Sequence, residues 1–426
     1  MNLISMLFTS SLKISVSKCL KLHNRKTLHQ CCRRFTCSMS VSEKDIHDIL
    51  LDNSTQKHFI EYNGFLSNHL SHGIVALYRL GMSRDRLQHF ISWYDKRLEP
   101  ATNDLLDDSP VLELKGKRVS FYNILKYFED LLNNKYNKNV DALILNEYPK
   151  VSEGLGSSAL HGTIHLGYGY AVNNERIILE GLAYTFHSFR PISTSRSDQD
   201  FARLGQGSVE ITELLEKLRN NSSLQKQMRD GIKEERWKPL KLGRFQIAVT
   251  YLTADHADFL TDQVLSIKFD PKLLDIDGRL EPKRCMRQIV YWVIMVFALA
   301  KTRNNFFLLH GVTCAWSLNN IIHVLSKDDG LKVIREYLTI LLAVYVSQGC
   351  PELSVPVLEG EYTENDWREL VKKVTDEDRD EHCYKLLQVC GEMVKEAEKF
   401  GENPNIYFQS ASMALDKEFH FFSYGD

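Results

Sequence analysis

The chain has 426 residues, 43% hydrophobic and 25% charged, with a formal net charge of −2. That is the composition of a folded globular chain, and it offers no overall basic field for nucleic acid or an anionic membrane. Its 22 glycines and 10 prolines are few for the length, which suits long helices better than a turn-rich β fold.

Before Glu43 there is no acidic residue, while Lys13, Lys18, Lys21, Arg25, Lys26, Arg33 and Arg34 alternate with Ser, Leu and Ile. Residues 1–42 therefore read as a targeting or disordered leader, and residues 43–426 as a single all-α domain. An acid-free leader of this kind marks a mitochondrial transit peptide; a start at Met39 instead leaves a cytoplasmic protein. Four of the nine cysteines lie in the leader, and no CxxC occurs anywhere. A thiolate zinc site is thereby disfavoured, and the scattered remainder suits a reducing compartment.

In chain order, "SEKDIHDILLDN" (42–53) opens as a helix capped by Ser42. Residues 64–100 read as two helices, with apolar positions at Leu66, Leu70, Ile74, Leu77 and Leu80; Gly81 stops the first and Ser83 caps the second. Residues 120–134 form an amphipathic helix. Residues 160–189 form two more, hinged near Asn173 and Asn174. Residues 190–210 are polar and loop-like, and 208–235 is one helix with a charged outer face. From 282 the chain turns strongly apolar. Its longest uncharged run, Gln288 to Ala300, is shorter than the roughly 20 residues a membrane span requires, so it reads as a fully buried helix followed by a second that carries His310. Residues 331–349 and 378–402 supply two further helices. The expected fold is an all-α, multi-helix bundle with a metal site in its core and no membrane span.

The histidines carry the chemistry. "NHLSH" gives His69 and His72, "HGTIH" gives His161 and His165, "EHCYK" gives His382 and Lys385, and "FFLLHGVT" sets His310 in an apolar run. Each pair shares a face of its expected helix. A single histidine on such a face is more often a hydrogen-bonded core residue than a ligand, and His89, His256, His323, His420, His23, His29, His47, His58 and His187 are read that way. Four such faces together are explained more simply by one shared cation, because each buried imidazole needs a partner. Imidazoles without thiolates suit zinc, iron, copper or nickel. Lys385 cannot ligate as an ammonium; it is either a solvated edge residue or a buried amine, which CO₂ converts to an anionic carbamate. "GLGSSA" (154–159) loosely fits a dinucleotide loop but lacks a preceding strand, and reads instead as the start of the His161 helix with Ser157 or Ser158 as cap.

These motifs together, "NHLSHGIVALYRLG", "HGTIHLGYGY", "LEGLAYTFHSF", "NFFLLHGVTCAWSL" and "DEHCYKL", resemble the questin oxidase-like family over most of residues 45–400. The resemblance implies an O₂-dependent oxidoreductase that cleaves polycyclic, hydroxyanthraquinone-type substrates in a Baeyer–Villiger-like reaction with NADPH and no flavin. It further implies a mononuclear non-haem iron(II) held by His69, His161, His310 and His382, with Lys385 carboxylated. His72 and His165 are then assigned catalytic roles beside the metal or substrate. Tyr168, Tyr170, Tyr184 and Trp316, near the motifs, are either the walls for a small aromatic substrate or ordinary core. A metal-dependent hydrolase and a non-catalytic helical interaction protein are the competing readings.

Overall fold

The structure, a computed structural model, describes residues 41–102, 110–118, 120–416 and 419–420; the leader to residue 40 lies outside them. Ser42 opens α1 (Glu43–Asp52) with a reciprocal cap: its hydroxyl accepts from the Asp45 N–H while the Asp45 carboxylate accepts from the Ser42 N–H. Asn63 and Gly64, at φ 49° and 81°, then turn a small antiparallel hairpin of β1 (Glu61–Tyr62) and β2 (Leu66–Ser67). The apolar register therefore misplaces one residue. Leu66 belongs to this hairpin, and α2 runs only Leu70–Arg79, so His69 sits at the position just before the helix.

Ser83 caps α3 (Arg84–Tyr94) as expected. Next come α4 (Phe121–Asp130), α5 (Val140–Glu147), α6 (His161–Ala171) and α7 (Glu175–His187). The expected hinge between α6 and α7 is present: Asn173 is left-handed and the Asn174 side chain accepts from Ile177 N–H. A short α8 (Asp198–Phe201) interrupts the expected loop. The single helix expected over 208–235 is two, α9 (Ile211–Asn220) and α10 (Ser222–Gly231), because the Asn221 side chain accepts from Leu224 N–H and caps a new start. The remainder are α11 (Arg244–Asp255), α12 (Ala257–Leu265), α13 (Pro282–Leu299), α14 (Phe306–Ile321), α15 (Lys327–Ser347), α16 (Glu364–Thr375), α17 (Glu381–Met393) and α18 (Pro404–Ser412). α13 is not buried all round, since Tyr291, Trp292 and Met295 remain partly exposed. Among the described residues no helix is long and apolar enough to cross a membrane.

Four helices position the site. α2 packs on α6, α6 on α14, α14 on α17, and α17 back on α2, which closes a ring. Glycines make the approach close. A Cβ on Gly162 would meet Thr185 of α7, and one on Gly167 would lie 2.2 Å from the Ser317 Cβ of α14. These glycines thin the wall for a neighbouring helix, not for a flat ligand. Gly167→Ala is expected to destabilise the fold by about 1–3 kcal/mol through overpacking, read from the midpoint of urea unfolding.

Candidate metal centre

The ring brings four imidazoles to one point. His69 immediately precedes α2, His161 is the first residue of α6, His382 the second of α17, and His310 lies in the second turn of α14. Their ligand atoms all lie within 4.8 Å of one another, and all four residues are buried. The Nε2 atoms of His69 and His161 are 2.5 Å apart, those of His161 and His310 3.1 Å, and those of His310 and His382 3.3 Å.

The other ring nitrogens decide what these contacts are. His310 Nδ1 donates to the Phe306 carbonyl at 2.7 Å and His382 Nδ1 to Asp380 Oδ1 at 2.5 Å, while His69 Nδ1 pairs with Glu381 Oε1 at 2.8 Å, as donor in the tautomer a metal ligand adopts. His161 Nδ1 donates to the Ser158 carbonyl. A neutral imidazole has one N–H, so each Nε2 then carries a lone pair. Burial is the main cause that pushes all four rings well below the ordinary histidine range, His382 to about 4, so they are neutral at pH 7. Four neutral rings thus aim lone pairs at one another, which repel unless a cation lies between them. Nitrogens bound at about 2.1 Å to one ion stand roughly 3.0–3.4 Å apart, close to two of the three separations. The fixed Nδ1 partners supply the orientation such a site needs.

Helix geometry sorts the remaining candidates into a deeper tier. Three or four residues advance a helix by about 4.5–6 Å, so His72, His165 and Lys385 lie one turn beyond His69, His161 and His382. His72 Nε2 meets His165 Nδ1 at 3.0 Å, and His165 Nε2 meets Glu180 Oε2 at 3.1 Å. Burial raises the Glu180 carboxyl, but hydrogen bonds from His165 and Thr55 and the charge of Arg176 hold it below its ordinary range. The carboxylate fixes the direction of the chain: His165 donates to Glu180 and accepts from His72. Two buried atoms in this tier, His72 Nδ1 and Lys385 Nζ, have no hydrogen-bond partner among the described residues. Lys385 is fully buried, and burial lowers its amine to about 8, against the opposing charges of Glu381 and Asp380.

A cavity of about 480 Å³ opens onto the cluster. His69, His161 and His382 form its floor, while His310 lies behind them. Its aromatic walls are Tyr62, Phe65, Phe245, Phe306 and Phe307. The four aromatics nearest the motifs in sequence are elsewhere. Tyr168 stacks on His72, Trp316 bonds Glu392, Tyr184 bonds Ser67 and Glu61, and partly exposed Tyr170 bonds Asp141. Their bland reading as packing holds. His72 and His165 also stand outside the cavity lining. The loop 154–160 has neither a strand before it nor a serine cap. Ser158, Ala159 and Leu160 are left-handed in succession, φ 44°, 51° and 71°, and this turn presents the Ser158 carbonyl to His161. Gln246 steadies it by accepting from Ala159 N–H at 2.9 Å. The histidines set aside mostly have ordinary partners: His89 with Asp378, His58 with Asp95, His256 with Tyr251 and His323 with Tyr170.

Asp380 and Glu381 escaped the sequence reading, although both stand beside His382 in its motif. Their signal is an acidic pair at a helix start, next to a histidine. Burial and the charge of Asp380 raise the Glu381 carboxyl to about 8. The folded protein thus holds a proton there that the unfolded chain loses above pH 4.5. This contribution is present below pH 4.5 and fades as pH rises to about 8. In metal-free protein, Glu381→Gln, neutral at every pH, is expected to gain in Tm relative to wild type as pH rises across that window.

The Questin oxidase-like family model matches residues 66–390. A curated Baeyer–Villiger oxidase from Paecilomyces divaricatus is 23% identical over 394 residues, spanning 82% of this chain and 78% of the relative.

Proposed function

The chain belongs to the Questin oxidase-like family and is an oxidoreductase; from that premise we propose that it oxidises a polycyclic hydroxyaromatic ketone or quinone with O₂ at a mononuclear iron(II) centre, drawing on NADPH. The observation that carries this reading is the convergence of four Nε2 atoms, with three of the four rings on the floor of an aromatic-walled cavity. The reaction inserts one oxygen atom beside a ring carbonyl. Substrate, O₂, NADPH and a proton give the ester or lactone, water and NADP⁺.

His69, His161, His310 and His382 would hold the metal, joined by Lys385 as its carbamate. Neutral imidazoles leave a dication uncompensated, and the carbamate supplies the anionic oxygen that carboxylates give in related histidine sites. Iron(II) held there supplies the one-electron access to O₂ that a closed-shell phenol lacks. The chain's own side chains do the rest. Asp380, Glu381 and the carbonyls of Ser158 and Phe306 fix the four rings. Phe306, 4.6 Å from both His310 and His382 between ring centres, shields that side of the floor from water. His72 and His165 act from behind as a hydrogen-bonded line to Glu180 that ties α2 and α6 to α7.

Oxygen uptake by anaerobically purified, iron-loaded protein tests the reading, on a panel of hydroxyanthraquinones with and without NADPH. The expected result is iron-dependent uptake and a product heavier by one oxygen atom. Uptake that ignores iron, or a hydrolytic product formed without oxygen, would contradict it.

A further inference from the structure

The outer half of the cavity has charges that the histidine floor does not use. Arg118 is engaged by Glu61 through two nitrogens, and Asp380 and Glu381 each hold an imidazole. Arg97 differs. Its guanidinium carbon lies over Trp93, 3.9 Å from the ring centre, with Tyr94 at 5.4 Å. No carboxylate among the described residues pairs with it. A guanidinium held over an aromatic ring keeps its N–H donors, and its planar fork can take a carboxylate in two parallel bonds. Arg244 lines the same cavity. Phe245 and Phe307, also in the wall, stack face to face, 3.7 Å apart and tilted by only 6°, which gives that wall an aromatic pair. The floor is mixed in charge: α2, α6 and α17 all begin there with the partial positive charge of helix N-termini, while Asp380 and Glu381 also line the cavity.

We propose that the substrate is a flat aromatic carboxylic acid: its rings pack against the aromatic wall that holds Phe245 and Phe307, its carboxylate pairs with Arg97 at the rim, and its far edge meets the histidine floor. This deepens the oxidase reading and rests on it for the reacting edge alone. The acid at the rim fixes which edge reaches the floor, so Arg97 sets regiochemistry as well as affinity.

Calorimetric binding to the full chain tests this with a matched pair, anthraquinone-2-carboxylate and its neutral amide. Wild type is expected to prefer the acid by about tenfold or more, the scale of a charge-assisted pair. Arg97→Gln should abolish that preference while leaving the amide unchanged, and Arg97→Lys should keep part of it. Equal binding of the two probes, no binding of either, or equal weakening of both by Arg97→Gln would overturn the proposal. Arg97-dependent displacement of the acid by NADPH or inorganic phosphate would also overturn it, since the rim would then serve the reductant. Iron content and oxygen uptake on the same preparations separate the two claims. Protein that holds no iron yet prefers the acid upholds the rim and sinks the oxidase; an iron-loaded oxidase indifferent to the carboxylate does the reverse.

Discussion

His161→Ala is expected to lose bound iron and to lower iron-dependent oxygen uptake by about a thousandfold or more, the scale of removing a group on which the chemistry depends. His161 is the hub of the cluster, because its Nε2 contacts both His69 and His310. Without it, two of the three short contacts vanish and the remaining imidazoles no longer surround one point. Stability should separate this from simple misfolding. A bound ion stabilises only the folded state, by an amount set by its concentration over Kd. Wild type should therefore gain several degrees of Tm on adding iron(II) anaerobically, and His161→Ala should gain none. In metal-free protein the substitution removes a buried ring but also relieves lone-pair opposition, so the two effects partly cancel. A variant that retains stoichiometric iron and normal uptake would show that the cluster is not the site.

Lys385→Met should move stability and activity in opposite directions. The amine is fully buried and has no hydrogen-bond partner among the described residues. At about 8 its pKa keeps it mostly protonated at pH 7, so metal-free folding carries the cost of a poorly compensated buried charge. An apolar side chain of similar length should stabilise metal-free protein by about 1–3 kcal/mol. The sign follows from linkage. Between about 8 and the ordinary lysine value of 10.5 the unfolded chain binds more protons, so wild-type stability rises with pH there and the advantage of Met fades. Activity should fall steeply, because Met forms no carbamate. Carboxylation itself consumes a neutral amine and CO₂ and releases a proton. Wild type stripped of CO₂ should lose iron-dependent uptake and regain it with bicarbonate, with a carbamate carbon signal from ¹³C-bicarbonate that Lys385→Met lacks. Unchanged activity in Lys385→Met would remove the lysine from the ligand set.

The sequence reading located the four imidazoles because each stood in a short helical motif, and the closed ring of α2, α6, α14 and α17 joined those motifs. It could not rank them by depth. That ranking needs the helix starts, and the starts of α2 and α6 are set by the hairpin at Leu66–Ser67 and the left-handed turn at 158–160. Once they are fixed, His165 is one turn too deep to meet His161's partners and joins His72 instead. The wall residues failed for the same reason. Tyr168 lies seven residues past His161, about 10 Å along α6, and so packs far behind the floor. The real walls come from the hairpin, from the start of α14 and from α11; α14 was expected, but α11 was not, because no clear apolar period marks it. Arg97 gives no sequence signal at all; its role depends on where α3 ends relative to a cavity built by other elements.

The central claim is that four histidines hold one redox-active ion. Anaerobic titration of metal-free protein with iron(II), followed by X-ray absorption at the iron edge, tests it most directly. The account predicts saturation at one iron per chain and the scattering pattern of several imidazoles with an added oxygen donor, lost in His161→Ala. Protein that binds no iron at stoichiometric concentrations, or binds it without imidazole scattering, would contradict it.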